Sequence, residues 1–247
     1  MNRSTTVLAV TFSLLLGLIS PLALAQEDGA TFSDVRIMQV KAGRADEFQE
    51  LIARVTAALG SAGRPPMTVW QEVRGNLANY HLVTPRGAFG DFDDDPGPPI
   101  AAGPWANLIT RLVDVVESQR RILVRNYPDL SIPAEEGSEP AEFMRLRLRE
   151  IAWGGNAAYI EWLEDDLLPA LADAGVQGIG YSRIVEGDSP RIWVTAREFN
   201  SWAELDEPGA LADLSAREIQ QIVSTGNELT LSGENIVLRR REDLMAQ

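Results

Sequence analysis

Apolar and polar positions follow two alternating periods along this chain, and the same order of periods occurs twice. Residues 35–40 form a short run of β-formers, and Lys41-Ala42-Gly43 turns the chain. Phe48, Leu51, Ile52, Val55 and Leu59 then recur at the spacing of one helix face. Gly60 and Gly63 end that helix, and Pro65-Pro66 forbid its return. Residues 68–73 and 79–84 read as strands joined by a turn at Gly75-Asn76, a hairpin. After a loop over 85–103, Pro104 suits the first position of a helix that carries Trp105, Leu108, Leu112, Val115 and Val116 on one face. A strand over 121–126 closes the unit.

The second half repeats the order. Residues 143–151 form a strand, and Gly154-Gly155-Asn156 turns the chain. Ile160, Leu163, Leu167 and Leu171 mark the inner face of a helix over 159–174, which Pro169 should kink. Residues 181–185 and 191–196 make a hairpin around Gly187. Ser215 caps a helix with Ile219, Ile222 and Val223 inward, and 235–240 is the last strand. The repetition reaches individual residues: Ile122-Leu123-Val124-Arg125 returns 114 residues later as Ile236-Val237-Leu238-Arg239, and Gly43 and Gly75 return 112 residues later as Gly155 and Gly187. A period this long marks a duplicated domain and not a solenoid. Each copy has the order β-α-β-β-α-β, the ferredoxin-like unit. The expected fold is therefore α+β, two ferredoxin-like βαββαβ units in tandem: 26–133, an acidic, proline-bounded linker over 134–142, and 143–247.

Three segments give the chain a wider likeness. They are Gly43-Arg44-Ala45-Asp46-Glu47-Phe48 opening the first helix, Leu167-Leu168-Pro169-Ala170-Leu171 inside its counterpart, and Tyr80-His81-Leu82-Val83-Thr84 on the third strand. In this pattern the chain resembles the dimeric α/β-barrel superfamily, nearest to its NIPSNAP-like and antibiotic-biosynthesis-monooxygenase-like members. The resemblance covers roughly 35–244. It implies two sheets facing each other around a cavity, here as an intramolecular barrel. The superfamily includes cofactor-free oxygenases, haem proteins, decarboxylases and binders without known reactions, so the fold alone selects no function.

Alternation assigns the faces of such sheets. Tyr80 and Leu82, with Ile192 and Val194, are expected under the helices. Asn79, His81 and Val83, with Arg191, Trp193 and Thr195, are expected toward the barrel. Arg145, Arg147 and Arg149 share one face of the fifth strand. They read either as a cationic wall for a carboxylate, enolate or phosphate, or as partners of acids such as Glu72 and Glu150 on an exposed edge. His81 is the only histidine. It reads as a general base, as a hydrogen-bonded structural residue or, through the resemblance, as a haem ligand. The resemblance places haem ligands in the second unit, where Trp193 stands at the expected match. It also brings Trp70 forward, since its cofactor-free oxygenases use Asn, Trp and a polar partner. The candidate set is thus His81 as catalytic base, with Asn79, Arg145, Arg147, Arg149, Arg191, Trp193 and Thr195 as ligand-binding residues.

Composition narrows the remaining classes. Arg3, the apolar run 7–19 and Ala23-Leu24-Ala25 read as a secretory signal over 1–25, cleaved before Gln26. The expected location is periplasmic or secreted, with no membrane attachment after cleavage. The net charge is −14, and −15 once the signal with its single arginine is removed. Such a surface disfavours nucleic acid and anionic lipid. The chain has no cysteine, which excludes disulfides, thiolate catalysis and cysteine-bound metals. Asp91-Phe92-Asp93-Asp94-Asp95 begins like a calcium loop, but Pro96 stands where glycine is needed and Ala102 where glutamate is needed. No phosphate loop, zinc-protease or serine-hydrolase motif occurs. No metal or cofactor is called for. The expected protein binds a small, anionic or partly aromatic ligand, as a monomer or homodimer. The alternative is a cofactor-independent monooxygenase or isomerase.

Overall fold

The computed structural model describes residues 32–93, 96–205 and 214–246. The signal read over 1–25 lies outside the described residues. The first copy contains β1 (Phe32–Val40), α1 (Ala45–Ser61), β2 (Thr68–Arg74), β3 (Asn79–Arg86), α2 (Ala102–Val115) and β4 (Val116–Asn126). The second contains β5 (Phe143–Ile151), α3 (Asn156–Trp162), α4 (Leu168–Asp173), β6 (Ile179–Glu186), β7 (Ile192–Phe199), α5 (Ala216–Leu229) and β8 (Thr230–Arg240). The strands close into one barrel in the order β1-β3-β2-β8-β5-β7-β6-β4. Each copy supplies four consecutive strands of the ring, and the copies meet where β2 pairs with β8 and β4 with β6. All these pairings are antiparallel.

Closure gives each strand one face toward the barrel interior and one toward the outside. Val35, Val83, Ile122, Leu146, Ile184 and Ile236 belong to the cluster inside the barrel. On the outside, Phe48, Leu51, Ile52 and Val55 of α1 bury their stripe against Tyr80 and Leu82 of β3. Tyr159, Trp162 and Leu163 pack on Tyr181 and Trp193 in the second copy. Burying one such side chain stabilises the fold by about 1.5–3 kcal/mol.

Local chemistry explains the element boundaries. Ser215 caps α5 as expected: its Oγ accepts from the Glu218 backbone N–H, and the Glu218 carboxylate accepts from Ser215 N–H. Of the face assigned to that helix, Ile222 is buried while Val223 is 47% exposed. α2 starts two residues before Pro104, which sits in the first turn where its missing N–H has no helical partner to lose. The kinked helix expected over 159–174 is two α-segments joined by a wide π-turn, Leu163–Leu167. Pro169 lies just beyond that turn. Its ring and missing N–H conflict with regular α-geometry, and the extra residue in the turn absorbs the conflict. β4 and β8 begin earlier than expected, because their first halves are exposed and polar and lack apolar alternation.

The two hairpins differ by one residue. Residues 75–78 join β2 to β3, and 187–191 join β6 to β7. Gly187 has φ +82, and a Cβ there would collide with the backbone carbonyl of Arg121 on β4. The turn therefore packs directly on the seam where β4 meets β6. Gly187→Ala should cost roughly 2–4 kcal/mol, from left-handed strain plus overpacking. Urea unfolding of the two proteins, compared at equal slope, checks this.

Candidate functional site

The barrel encloses a cavity of about 230 Å³. Most of its wall is aliphatic. The polar exceptions from strands of the first copy are Trp70 and Glu72 on β2 and Asn79 and His81 on β3. β2 and β3 are paired so that Trp70 lies opposite His81. Gly75 and Asn76 of the hairpin, with Arg120 and Glu234, form a polar rim, and all four are exposed.

His81 and Glu72 are both buried, at 4% and 5% exposure. His81 Nε2 lies 2.8 Å from Glu72 Oε1. The same carboxylate accepts from Asn79 Nδ2 at 3.0 Å and from the Asn76 backbone N–H at 2.6 Å. Burial pushes the Glu72 carboxyl up, but the hydrogen bonds from His81, Asn79 and Asn76 outweigh it and hold Glu72 below its usual value. An ionised carboxylate only accepts, so the network assigns the hydrogen to Nε2 and leaves Nδ1 as a lone-pair acceptor. This is the carboxylate–imidazole half of the triad logic: the acid fixes the tautomer and stabilises an imidazolium.

Two features complete the site. Trp70 is fully buried, and its Nε1–H has no hydrogen-bond partner. An unsatisfied buried donor costs about 1–3 kcal/mol, which a ligand oxygen in the cavity would recover. Gly75 has φ +122, and a Cβ there would collide with Glu72 Oε2. Glycine lets the hairpin wrap the carboxylate closely enough for Asn76 to donate to it.

The structure brings Asn79 and His81 into this cavity and places the other candidates elsewhere. Ile192, Val194 and Ala196 face the barrel, so Trp193 and Thr195 point outward, the reverse of the expected parity. The cause is the longer second hairpin: a one-residue shift exchanges the faces of a strand. Register shows the true correspondence. Ile37 pairs with His81 as Leu148 pairs with Val194, so the partner position of His81 is Val194 and not Trp193. Trp193 is core, donating Nε1–H to Asn156 Oδ1 at 3.0 Å. Arg191 is ion-paired with Glu150 at the barrel end. Arg145, Arg147 and Arg149 alternate with the inward Met144, Leu146 and Leu148, and so lie on the outer face. Glu72, expected as an arginine partner, pairs with His81 instead. Glu72 was legible in principle, since Trp70 and Glu72 share a β2 face opposite His81, but nothing in the hairpin sequence marks that face as inward.

No family model and no curated protein matches this chain. Solved structures do. A candidate monooxygenase from Lactobacillus acidophilus NCFM aligns with TM-score 0.57 and 11% identity, over 85% of this chain and 94% of that one. An anthrone oxidase-like protein aligns with TM-score 0.55 and 8% identity, over 87% and 93%. A mutant chlorite dismutase from Candidatus Nitrospira defluvii aligns with TM-score 0.52 and 8% identity, over 86% and 91%. At these identities the likeness is one of fold. The shared fold is a closed α/β barrel, here with both ferredoxin-like halves supplied by one polypeptide. The haem reading of His81 does not fit this barrel. Eight strands leave room for one small ligand, and a porphyrin is larger than the cavity. Among the described residues, no helix is long and apolar enough to cross a membrane.

Glu72→Gln should lower stability at pH 7 by about 1.5–3 kcal/mol, since a neutral amide cannot accept from all three donors. Because the folded-state pKa of Glu72 is depressed, its contribution is full above the ordinary glutamate value and is lost as pH falls through the folded value. The gap between wild type and variant should therefore close on acidification. Chemical unfolding at neutral and acidic pH measures it, and a gap independent of pH would refute the ionised assignment.

Proposed function

We propose that the barrel cavity binds one small, mostly apolar molecule bearing an ionisable or carbonyl oxygen, with His81 as the base that takes its proton. The carrying observation is the buried His81–Glu72 pair on the strand position opposite Trp70, whose buried N–H has no partner, in a mostly aliphatic chamber. An engineered cavity of about 150 Å³ takes up benzene, so this chamber suits a ligand of about one or two rings. Nδ1 of His81 accepts the proton, Glu72 stabilises the imidazolium, and Trp70 Nε1–H donates to the oxyanion left behind. Asn79 holds the carboxylate and thereby the ring.

The test uses para-nitrophenol, whose anion is yellow. Wild type should bind it saturably and shift it toward the anion at a fixed pH near neutrality. His81→Ala should keep the binding and lose the shift. Trp70→Phe should weaken binding of the anion about tenfold, the worth of one hydrogen bond to a charged group. Absence of saturable binding, or a shift that survives His81→Ala, overturns the proposal.

A second reading follows from the same base: a cofactor-independent oxygenase. The names of the similar structures, a candidate monooxygenase and an anthrone oxidase-like protein, support it. His81 would remove a proton beside a carbonyl, and the enolate would react with dioxygen. Oxidation of that methylene to a carbonyl releases one water. Oxygen uptake with 2-tetralone, a two-ring ketone with an acidic methylene beside its carbonyl, abolished in His81→Ala, is the expected result.

We also propose export. The support is the Arg3, 7–19 and Ala23-Leu24-Ala25 pattern. Expression in a secretion-competent bacterium should yield a periplasmic protein beginning at Gln26, which intact-mass measurement reads directly.

A further inference from the structure

The arginines excluded from the barrel form a group of their own. Arg145, Arg147 and Arg149 lie on the outer face of β5, and register puts Arg197 of β7 beside Arg145. The charged or ionisable neighbours that act on Arg147 are Arg145, Arg149, Arg197 and the Tyr181 phenol, with no carboxylate among them. Among the described residues, none of the four arginines is ion-paired. Elsewhere the chain pairs its arginines readily: Arg121 with Asp34, Arg191 with Glu150, Arg241 with Asp243. A chain of net charge −14 has acids to spare, yet among the described residues none pairs with these four arginines.

The first copy supplies an internal control. Asp34 pairs with Thr84 as Arg145 pairs with Arg197. Arg36 faces Leu82 as Arg147 faces Thr195, and Met38 faces Tyr80 as Arg149 faces Trp193. The same sheet face is thus built once with Asp34, Arg36, Met38 and Thr84, and once with four arginines. In the first copy Asp34 takes a bidentate contact from Arg121, at 2.7 and 2.5 Å. The fold therefore does not require the arginines. Arg147 stands between Arg145 and Arg149 on the strand, and the repulsion of both bears on its guanidinium.

The floor between them is polar. Tyr159 and Tyr181 are buried and both engage the Thr195 side chain. Burial pushes the Tyr181 phenol up, so it stays a neutral hydroxyl. Arg147 and Arg149 also border a surface groove of about 510 Å³ with Asn227, Thr230 and Ser232.

We propose that this outer face of the second copy binds a compact anion carrying two or more charges, held by the arginine forks and independent of the barrel cavity. Guanidinium forks match phosphate and carboxylate oxygens alike, so the shared chemistry is a multivalent oxyanion. The test titrates the chain from Gln26 onward with inorganic pyrophosphate and, separately, with citrate, by calorimetry and thermal melting at low salt. At least one should bind saturably and raise the melting temperature, and the stronger of the two distinguishes a phosphate from a carboxylate ligand. The double variant Arg145→Gln/Arg147→Gln should lose at least tenfold in affinity, while His81→Ala should retain it. Without anion, the double variant should melt at or above the wild-type temperature, since like charges have been removed. Failure of both anions to bind, or equal affinity in the double variant, overturns the proposal. So does a double variant that melts lower without anion, because the arginines would then hold the fold.

Discussion

A closed ring of backbone hydrogen bonds governs everything else in this molecule. Eight antiparallel strands leave no free pair at the seams, so each strand must accept both neighbours in one register. Register then decides, residue by residue, what enters the barrel and what lies beneath the helices. The seams between copies carry this burden most heavily. At one, β4 and β6 pair through a bulge, and Gly187 presses on the β4 backbone where a side chain would not fit. At the other, β2 and β8 pair with a similar irregularity just below Glu72. The hairpin at Gly75 is thus part of the closure and part of the site.

Within that frame the two copies have diverged on opposite faces. In the first, the inward positions of β2 and β3 carry Trp70, Glu72, Asn79 and His81. Their counterparts in the second copy are Ser182, Ile184, Ile192 and Val194. In the second, the outward positions of β5 and β7 carry four arginines where the first has one. A barrel of two identical halves would place two charged pairs inside a small chamber and pay desolvation twice. Confining the histidine and its carboxylate to one wall leaves the other wall uncharged at these positions, with Ser182 its one polar member.

Much of this was legible along the chain. The duplication, the α+β order, the cap at Ser215 and the irregularity at Pro169 all follow from local spacing and backbone chemistry. The inward placement of Asn79 and His81 was also legible, because β3 alternates cleanly. The arginine stripe was visible as a stripe. Its side of the sheet was not, since apolar and charged residues alternate on β5 whichever face is inward. Glu72 illustrates the same limit. A lone acid in a hairpin reads as solvated until three donors are seen converging on it.

The amino-acid sequence by itself determined the elements, their order, their repetition and the absence of thiol chemistry, because these rest on periodicity, turn residues and composition within a few tens of positions. Only the tertiary structure decided which parity of β7 faces the barrel, which residue of the second copy answers to His81, and that Glu72 pairs with His81 rather than with an arginine. The physical reason is that one residue added between β6 and β7 leaves every local pattern intact while exchanging the two faces of the strand. That exchange is fixed by the register of β7 against β6 in the hairpin and against β5, more than forty residues away.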